Sequence, residues 1–298
     1  MSWLTGVLFA IASAAAFATN TPLASIVHDA GGNAALVVLS RSILAVLVAG
    51  AIWLVMPERK SALCSWRVAS ILAVFFFLQG VLYVGSVKWI PVSMAALIFF
   101  TWPVLVGVFA VVMDRNLSIP KVLGCALVAF LGLGLALRVE LQNLDPRGVV
   151  LALAGSATMV GYVLVVHRKL SSQGNPVALT LQVNLGIVII AGVMLAMQAD
   201  TVVTIGSDAI LPLLALSGFY VIAAIAQITA IRRSGATLTA IFFNLEPLVS
   251  IAIAVAWLNE LFTGEQALGA LLVIGALVLF SVFHWQQHQL PTKSTDSL

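Results

Sequence analysis

Long apolar runs separated by short polar breaks recur from one end of the chain to the other. A bilayer core needs roughly 20 residues of helix to cross it, and ten runs reach that length, at about 3–27, 33–56, 66–87, 91–113, 119–138, 147–168, 175–197, 209–231, 235–257 and 264–285. Several carry start signals. Asp145 before Pro146 and Asn175 before Pro176 place a capping side chain ahead of a proline at the first helical position, and Thr263 with Gln266 has capping-box spacing. Two runs are interrupted by proline in similar company: Phe99-Phe100-Thr101-Trp102-Pro103 in the fourth, and Phe242-Phe243-Asn244-Leu245-Glu246-Pro247 in the ninth.

The repetition extends beyond the prolines. A shift of 142 pairs Gly6 with Gly148, Gly32 with Gly174, Asn33 with Asn175 and Gly50 with Gly192; a shift of 144 pairs Phe99 with Phe243 and Pro103 with Pro247; a shift of 145 pairs Gly124 with Gly269. Equivalent runs lie five apart, an odd number, so the second set crosses in the opposite sense to the first. The predicted fold is an all-α integral membrane protein of ten transmembrane helices arranged as two inverted five-helix repeats. The predicted organisation is a first repeat over residues 1–140, a second over 141–287 and a cytoplasmic tail over 288–298. Broken helices at matching places in two inverted halves mark the central site of a secondary transporter.

Composition agrees with the pattern. With 62% hydrophobic and 8% charged residues, the side chains outnumber what a water-soluble core could hide, and they must face lipid. The first run follows Met1 without a basic leader segment and is expected to be a membrane helix rather than a cleaved signal. Arg59, Lys60, Arg67, Arg115, Lys121, Arg168, Lys169, Arg232, Arg233 and Lys293 fall in one set of loops. Lys88, Arg138 and Arg147 fall in the other, with Arg41 inside a run. The positive-inside rule then places both termini in the cytoplasm of a cell (inner) membrane. The polar stretch from Gln286 to Leu298 reads as a disordered end. The net charge of +3 is scattered singly between apolar runs, so no nucleic-acid partner is expected. Trp3, Trp66, Trp89 and Trp285 lie near run ends, as an interfacial aromatic belt would. Cys64 and Cys125 have no ligating neighbours at metal spacing, and neither a metal nor another cofactor is expected.

A proline inside a helix cannot donate its backbone N–H, so Pro103 releases the carbonyl of Phe99 and Pro247 that of Phe243. In hydrocarbon a released carbonyl needs a partner from protein, water or substrate, which makes both prolines candidates for a kinked gate. Glu246 and Arg41 are the formally charged side chains well inside runs. Burying a charge costs several kcal/mol unless it is paired, neutralised or hydrated, so such residues are functional candidates. Glu246 is a candidate proton carrier or a structural carboxyl with Arg41 as one partner. Arg41, nearer a run end, reads first as an interfacial anchor or as one member of a structural pair. Asn20, Gln79, Tyr83, Trp102, Tyr162, Gln227 and Asn244 are polar-tipped side chains within runs, and the repeat shifts pair Asn20 with Tyr162 and Tyr83 with Gln227. With Phe99 and Phe243 they suit a site of aromatic walls and a few fixed hydrogen-bonding groups. Each also has a plain reading as an interhelical hydrogen bond or packing contact. Tyr220 and Gln182 are weaker candidates. The small residues Ala10, Ala14, Ala18, Gly124, Gly132, Gly269 and Gly275 are expected to let helices approach closely.

Taken together, the five-plus-five arrangement, Arg41 in the second run, the Phe-Phe-Thr-Trp-Pro segment, and Glu246-Pro247 followed by Asn259-Glu260, Thr263 and Gly269 resemble the EamA-type permeases of the drug/metabolite transporter superfamily. The resemblance implies that the first, third, fourth, sixth, eighth and ninth helices line a central cavity. It also implies a secondary transporter of small organic metabolites, most often an exporter of amino acids or related compounds. Metabolite uptake is the alternative, because inverted repeats do not set direction; a non-transporting scaffold is more distant. The implied partners are a small-molecule substrate, the lipid bilayer and protons as a coupling ion, in a monomer or homodimer. Enzymatic activity is not expected: His28, His167, His284 and His288 lie at or beyond run ends, far from any intramembrane catalytic grouping.

Overall fold

The computed structural model describes residues 2–57, 63–113, 119–138, 145–170, 175–197, 206–257 and 263–289. Arg59, Lys60, Arg115, Asn259 and Glu260, which bear on orientation or on the resemblance, lie outside these. The described residues contain helices and no strand: α1 Ser2–Ala18, α2 Asn20–Asp29, α3 Ala34–Val55, α4 Trp66–Ser86, α5 Val92–Phe99, α6 Trp102–Met113, α7 Ile119–Ala136, α8 Pro146–Leu170, α9 Pro176–Met197, a short 3-10 turn at Ser207–Ala209, α10 Ile210–Phe242, α11 Leu245–Trp257 and α12 Gly264–Gln289. Among the described residues, eight helical segments are long and apolar enough to cross a membrane, and Pro120–Ala136 is a shorter apolar helix. Leu47, Leu131, Ile189, Leu211 and Leu271 are more than half exposed, as lipid-facing side chains are. The chain is a multi-pass membrane protein.

The caps form as the sequence indicates. Asp145 Oδ1 accepts from the N–H of Arg147 at 2.8 Å, and Asn175 Oδ1 from that of Val177 at 2.8 Å. Gln266 Oε1 accepts from the N–H of Thr263 at 3.0 Å while the N–H of Gln266 points back to Thr263 Oγ1 at 3.4 Å.

Three expectations about continuity are corrected. The first run is not one helix but α1 and α2, broken at Thr19. Pro22 cannot donate to the carbonyl of Ala18, so the ladder fails there as it does ahead of Pro103 and Pro247. The eighth and ninth runs are not separated by a loop. They join in α10 across Gly235, whose φ of 84° and ψ of 170° are non-helical, a backbone state that an L side chain rarely adopts. The polar end begins later than Gln286, since α12 continues to Gln289.

Within lipid, helices gain little hydrophobic drive toward one another, and close backbone packing has to hold the bundle. Helix α1 lies along α10, α4 along α8, α7 against α12 and α3 against α9. Ala10, Ala14 and Ala18 are buried on α1, and Ser13 Oγ donates to the Ala223 carbonyl of α10 at 2.8 Å. Between α7 and α12 the backbones touch: a Cβ on Gly132 would lie 2.8 Å from the Gly269 carbonyl oxygen, and one on Gly269 2.5 Å from that of Gly132. A Cβ on Gly124 or Gly275 would meet no other helix within 4 Å, and both glycines are exposed. The close approach therefore belongs to Gly132 and Gly269, whereas Gly124 and Gly275 face outward, contrary to expectation.

The two ends of the bundle are tied separately. At one, Arg233 Nη1 donates to Thr5 Oγ1 at 3.1 Å, Gly6 abuts Ser234, and a Cβ on Gly235 would lie 3.7 Å from the His167 ring. At the other, Gly148 abuts Trp89 and Ile90, and the Arg147 guanidinium stacks 4.8 Å from the Trp89 ring centroid. Trp66 and Trp89 are both exposed at helix ends.

Replacing Gly269 by Val should lower stability by about 1–3 kcal/mol, the usual cost of overpacking, whereas Gly275→Ala on the same helix should be neutral. Thermal unfolding of the purified protein in detergent micelles checks both.

Candidate functional site

The chain breaks ahead of Pro22, Pro103 and Pro247, so that α2, α6 and α11 resume as half-helices just after Phe17, Phe100 and Phe243. At the fourth run the helix stops at Phe99 and resumes at Trp102, with Thr101 Oγ1 donating to the Ile98 carbonyl at 2.7 Å and lying 2.8 Å from Ser156 Oγ of α8. At the ninth, α10 ends at Phe242 and α11 begins at Leu245. The N–H of Glu246 donates to the Phe243 carbonyl at 3.0 Å, so the carbonyl expected to be released by Pro247 is satisfied by a tighter turn. No backbone N–H reaches the Phe99 carbonyl among the described residues.

Aromatic rings then connect the two halves of the chain. Trp102 meets Phe243 at 5.5 Å between centroids, Phe243 meets Phe17 at 6.0 Å, and Phe17 meets Tyr220 at 6.0 Å. Phe76 stands between Tyr220 at 6.3 Å and Tyr162 at 5.1 Å. Most of these contacts are edge-on, the arrangement that ring quadrupoles favour. Trp102, Tyr162, Tyr220 and Phe243 are almost fully buried. A separate pair, Tyr83 and Phe99, packs at 5.1 Å on the other side of the break.

The polar candidates divide by whether they are satisfied. Asn244 is buried and donates locally to the Ile241 carbonyl at 2.9 Å. Asn20 donates to the Phe17 carbonyl at 3.1 Å, but its Oδ1 is buried without a partner. Gln227 is 1% exposed and both ends of its amide are unpartnered. Buried amides are nearly always hydrogen-bonded, so each such orphan needs an explanation. Gln79 is partly exposed on α4, Pro103 is buried, and Pro247 is buried. Glu246 occupies the first turn of α11, where a carboxyl faces the positive end of the helix dipole. Glu246 and Arg41 form no ion pair with each other, and the Arg41 guanidinium stacks instead 4.6 Å from the centroid of the Tyr220 ring.

Tyr220 is the residue that the sequence undervalued. Its hydroxyl donates to Asn184 Oδ1 at 3.0 Å while Asn184 Nδ2 donates to the Thr180 carbonyl at 2.9 Å. Its position in the middle of an apolar run was the one available signal. Gln182 has a structural role, since its amide bridges the backbone of Cys64, accepting at 2.9 Å and donating at 2.9 Å.

Because Tyr220 is satisfied and Gln227 is not, their substitutions should diverge. Tyr220→Phe leaves Asn184 Oδ1 unpaired in a buried place and should cost about 1–3 kcal/mol. Gln227→Leu removes an amide with no bond to lose and should leave stability unchanged or raised. Unfolding midpoints in the same detergent distinguish the two.

Comparison with known proteins places the bundle. The description "EamA-like transporter family" matches residues 4–138 and again 147–282. A solved structure titled "Crystal structure of protein" superposes with a TM-score of 0.82 at 16% identity, covering 93% of this chain and 98% of its own; at that identity the likeness shows the fold. No curated protein matches. With the family description covering both halves, the two-repeat, all-helical membrane chain belongs to the EamA-like transporter family, the EamA-type permeases of the drug/metabolite transporter superfamily.

Proposed function

We propose that this protein is a secondary active transporter that carries small organic metabolites across the inner membrane by alternating access, exporting amino acids or related compounds. The observation that carries the reading is the contact between Trp102 and Phe243: two proline-broken helices, one from each matched half, meet ring to ring in the middle of the bundle. Substrate sites of inverted-repeat transporters are built from such discontinuous helices.

On this reading residues 1–140 and 141–287 form inverted halves, the chain crosses the bilayer ten times, and both termini are cytoplasmic. Support comes from the end that joins Gly6, Ser234, Gly235 and His167. There the start of α1 lies at the same end of the bundle as the finish of α8, its repeat counterpart. The helix pairings also repeat across the halves, α1 with α10 as α8 with α4.

The cavity is assigned to Asn20, Gln79, Tyr83, Phe99, Trp102, Tyr162, Gln227, Phe243 and Asn244, with Pro103 and Pro247 as hinge points. Glu246 is assigned the coupling proton, since a carboxyl inside apolar helices with no ion-pair partner among the described residues exchanges protons more cheaply than it holds a charge.

Purified protein in liposomes, offered labelled amino acids, cationic drugs and vitamins with and without a pH gradient, should accumulate at least one compound. Flux of none under either condition refutes transport, and obligatory inward movement would replace export by uptake. Glu246→Gln should abolish accumulation driven by the pH gradient while leaving exchange of substrate for substrate intact. Unchanged gradient-driven uptake in that variant removes Glu246 from the coupling. For orientation, a single cysteine at position 59 should resist impermeant maleimide applied to intact cells; efficient labelling reverses the topology.

A further inference from the structure

Arg41 lies inside α3 with its guanidinium carbon 4.6 Å from the centroid of the Tyr220 ring. Its Nε is sealed from solvent and has no hydrogen-bond partner. No carboxylate among the described residues forms an ion pair with it, and the group that its guanidinium lies against is the Tyr220 ring. An interfacial anchor would extend toward the membrane surface, but this guanidinium is laid over a ring that is 1% exposed. That ring is in turn held by edge contacts to Phe17 and Phe76 and by the hydroxyl's bond to Asn184.

An arginine side chain does not lose its proton in a protein. A ring face attracts the cation, but its quadrupole is no substitute for a full negative charge. With no carboxylate paired to it among the described residues, the Arg41 charge is left uncompensated.

We propose that Arg41 receives an oxyanion, a carboxylate or phosphate-type group, carried by the transported molecule. The proposal rests on the transport reading and names the chemical class of its substrate. A planar guanidinium presents parallel N–H groups that match two oxygens of such an anion. Stacking on a fixed ring holds that plane before the ligand arrives. Asn20 Oδ1, the orphan acceptor beside Phe17, is free to take a donor elsewhere on the same molecule.

The test compares matched probes on the purified full-length protein: phenylacetate with phenylacetamide, leucine with leucinamide, and phenyl phosphate with phenol. Binding is read as a shift of the unfolding midpoint, and flux is read in liposomes. At least one oxyanion should bind the wild type about tenfold more tightly than its uncharged-end twin. R41Q should bind both members of that pair alike, with its ligand-free midpoint unchanged or raised, because an uncompensated charge has been removed. A purely structural arginine would lower the midpoint and leave the preference intact. The proposal is overturned if R41Q keeps the preference, if no oxyanion binds the wild type, or if the twins bind it equally. Should R41Q not fold, R41K decides instead. It keeps the charge and loses the fork, so the oxyanion should weaken several-fold while its twin is unaffected; parallel weakening overturns the proposal. The carboxylate and phosphate arms identify which oxyanion is recognised. Oxyanion binding that depends on Arg41 without flux of any compound would refute transport and leave the site standing. Flux with no preference would do the reverse.

Discussion

A helix in hydrocarbon has to satisfy its own backbone, because lipid offers neither donors nor acceptors. This chain surrenders that self-sufficiency ahead of Pro22, Pro103 and Pro247, and the rest of the structure is arranged around those losses. Each break needs surrounding protein to make it tolerable. The protein supplies it with side chains such as Thr101 and Ser156, with the tighter turn from Glu246 to Phe243, and with aromatic rings packed over the gaps. The polar backbone tolerated there distinguishes the middle of the bundle from its lipid-facing sides.

Holding broken helices in place requires rigidity elsewhere. The backbone contact of Gly132 with Gly269, and the abutment of Gly6 on Ser234 and Gly186 on Ala73, provide it by bringing helix axes closer than larger side chains would permit. These contacts gain little from the hydrophobic effect, since lipid would solvate the same surfaces. Their strength lies in fit. The centre is built differently, from large rings in edge-on contact, which can exchange partners without losing much area.

The class of fold was legible because membrane crossing imposes a length and a composition on every segment, and the repeated proline segments were legible because both copies carry the same phenylalanines. The caps at Asp145, Asn175 and Thr263 were legible for a local reason: each bond closes within three residues. What escaped was non-local or subtle. The break at Thr19 follows from Pro22, which lies inside a run that read as one uninterrupted helix. The join across Gly235 was hidden by Arg232 and Arg233, which read as a loop but remain helical. The importance of Tyr220 depends on Phe17, Arg41, Phe76 and Asn184 arriving from other helices, and no spacing within the sequence announces that meeting. Which glycines touch was equally invisible, since Gly132 and Gly124 lie on the same helix and only their rotation about its axis separates contact from lipid.

The join at Gly235 gives the second half a corner unlike the corresponding one in the first. Between α4 and α5 the chain turns through the segment from Val87 to Pro91, where many torsions share the change of direction. Between the two legs of α10 a single residue with φ of 84° makes the turn, and helix continues on both sides of it. The legs are therefore related by one pair of angles, as two rigid arms are by a pin. A shift of the leg that holds Tyr220 would be handed directly to the leg that ends at Phe242, the doorstep of the break beside Glu246.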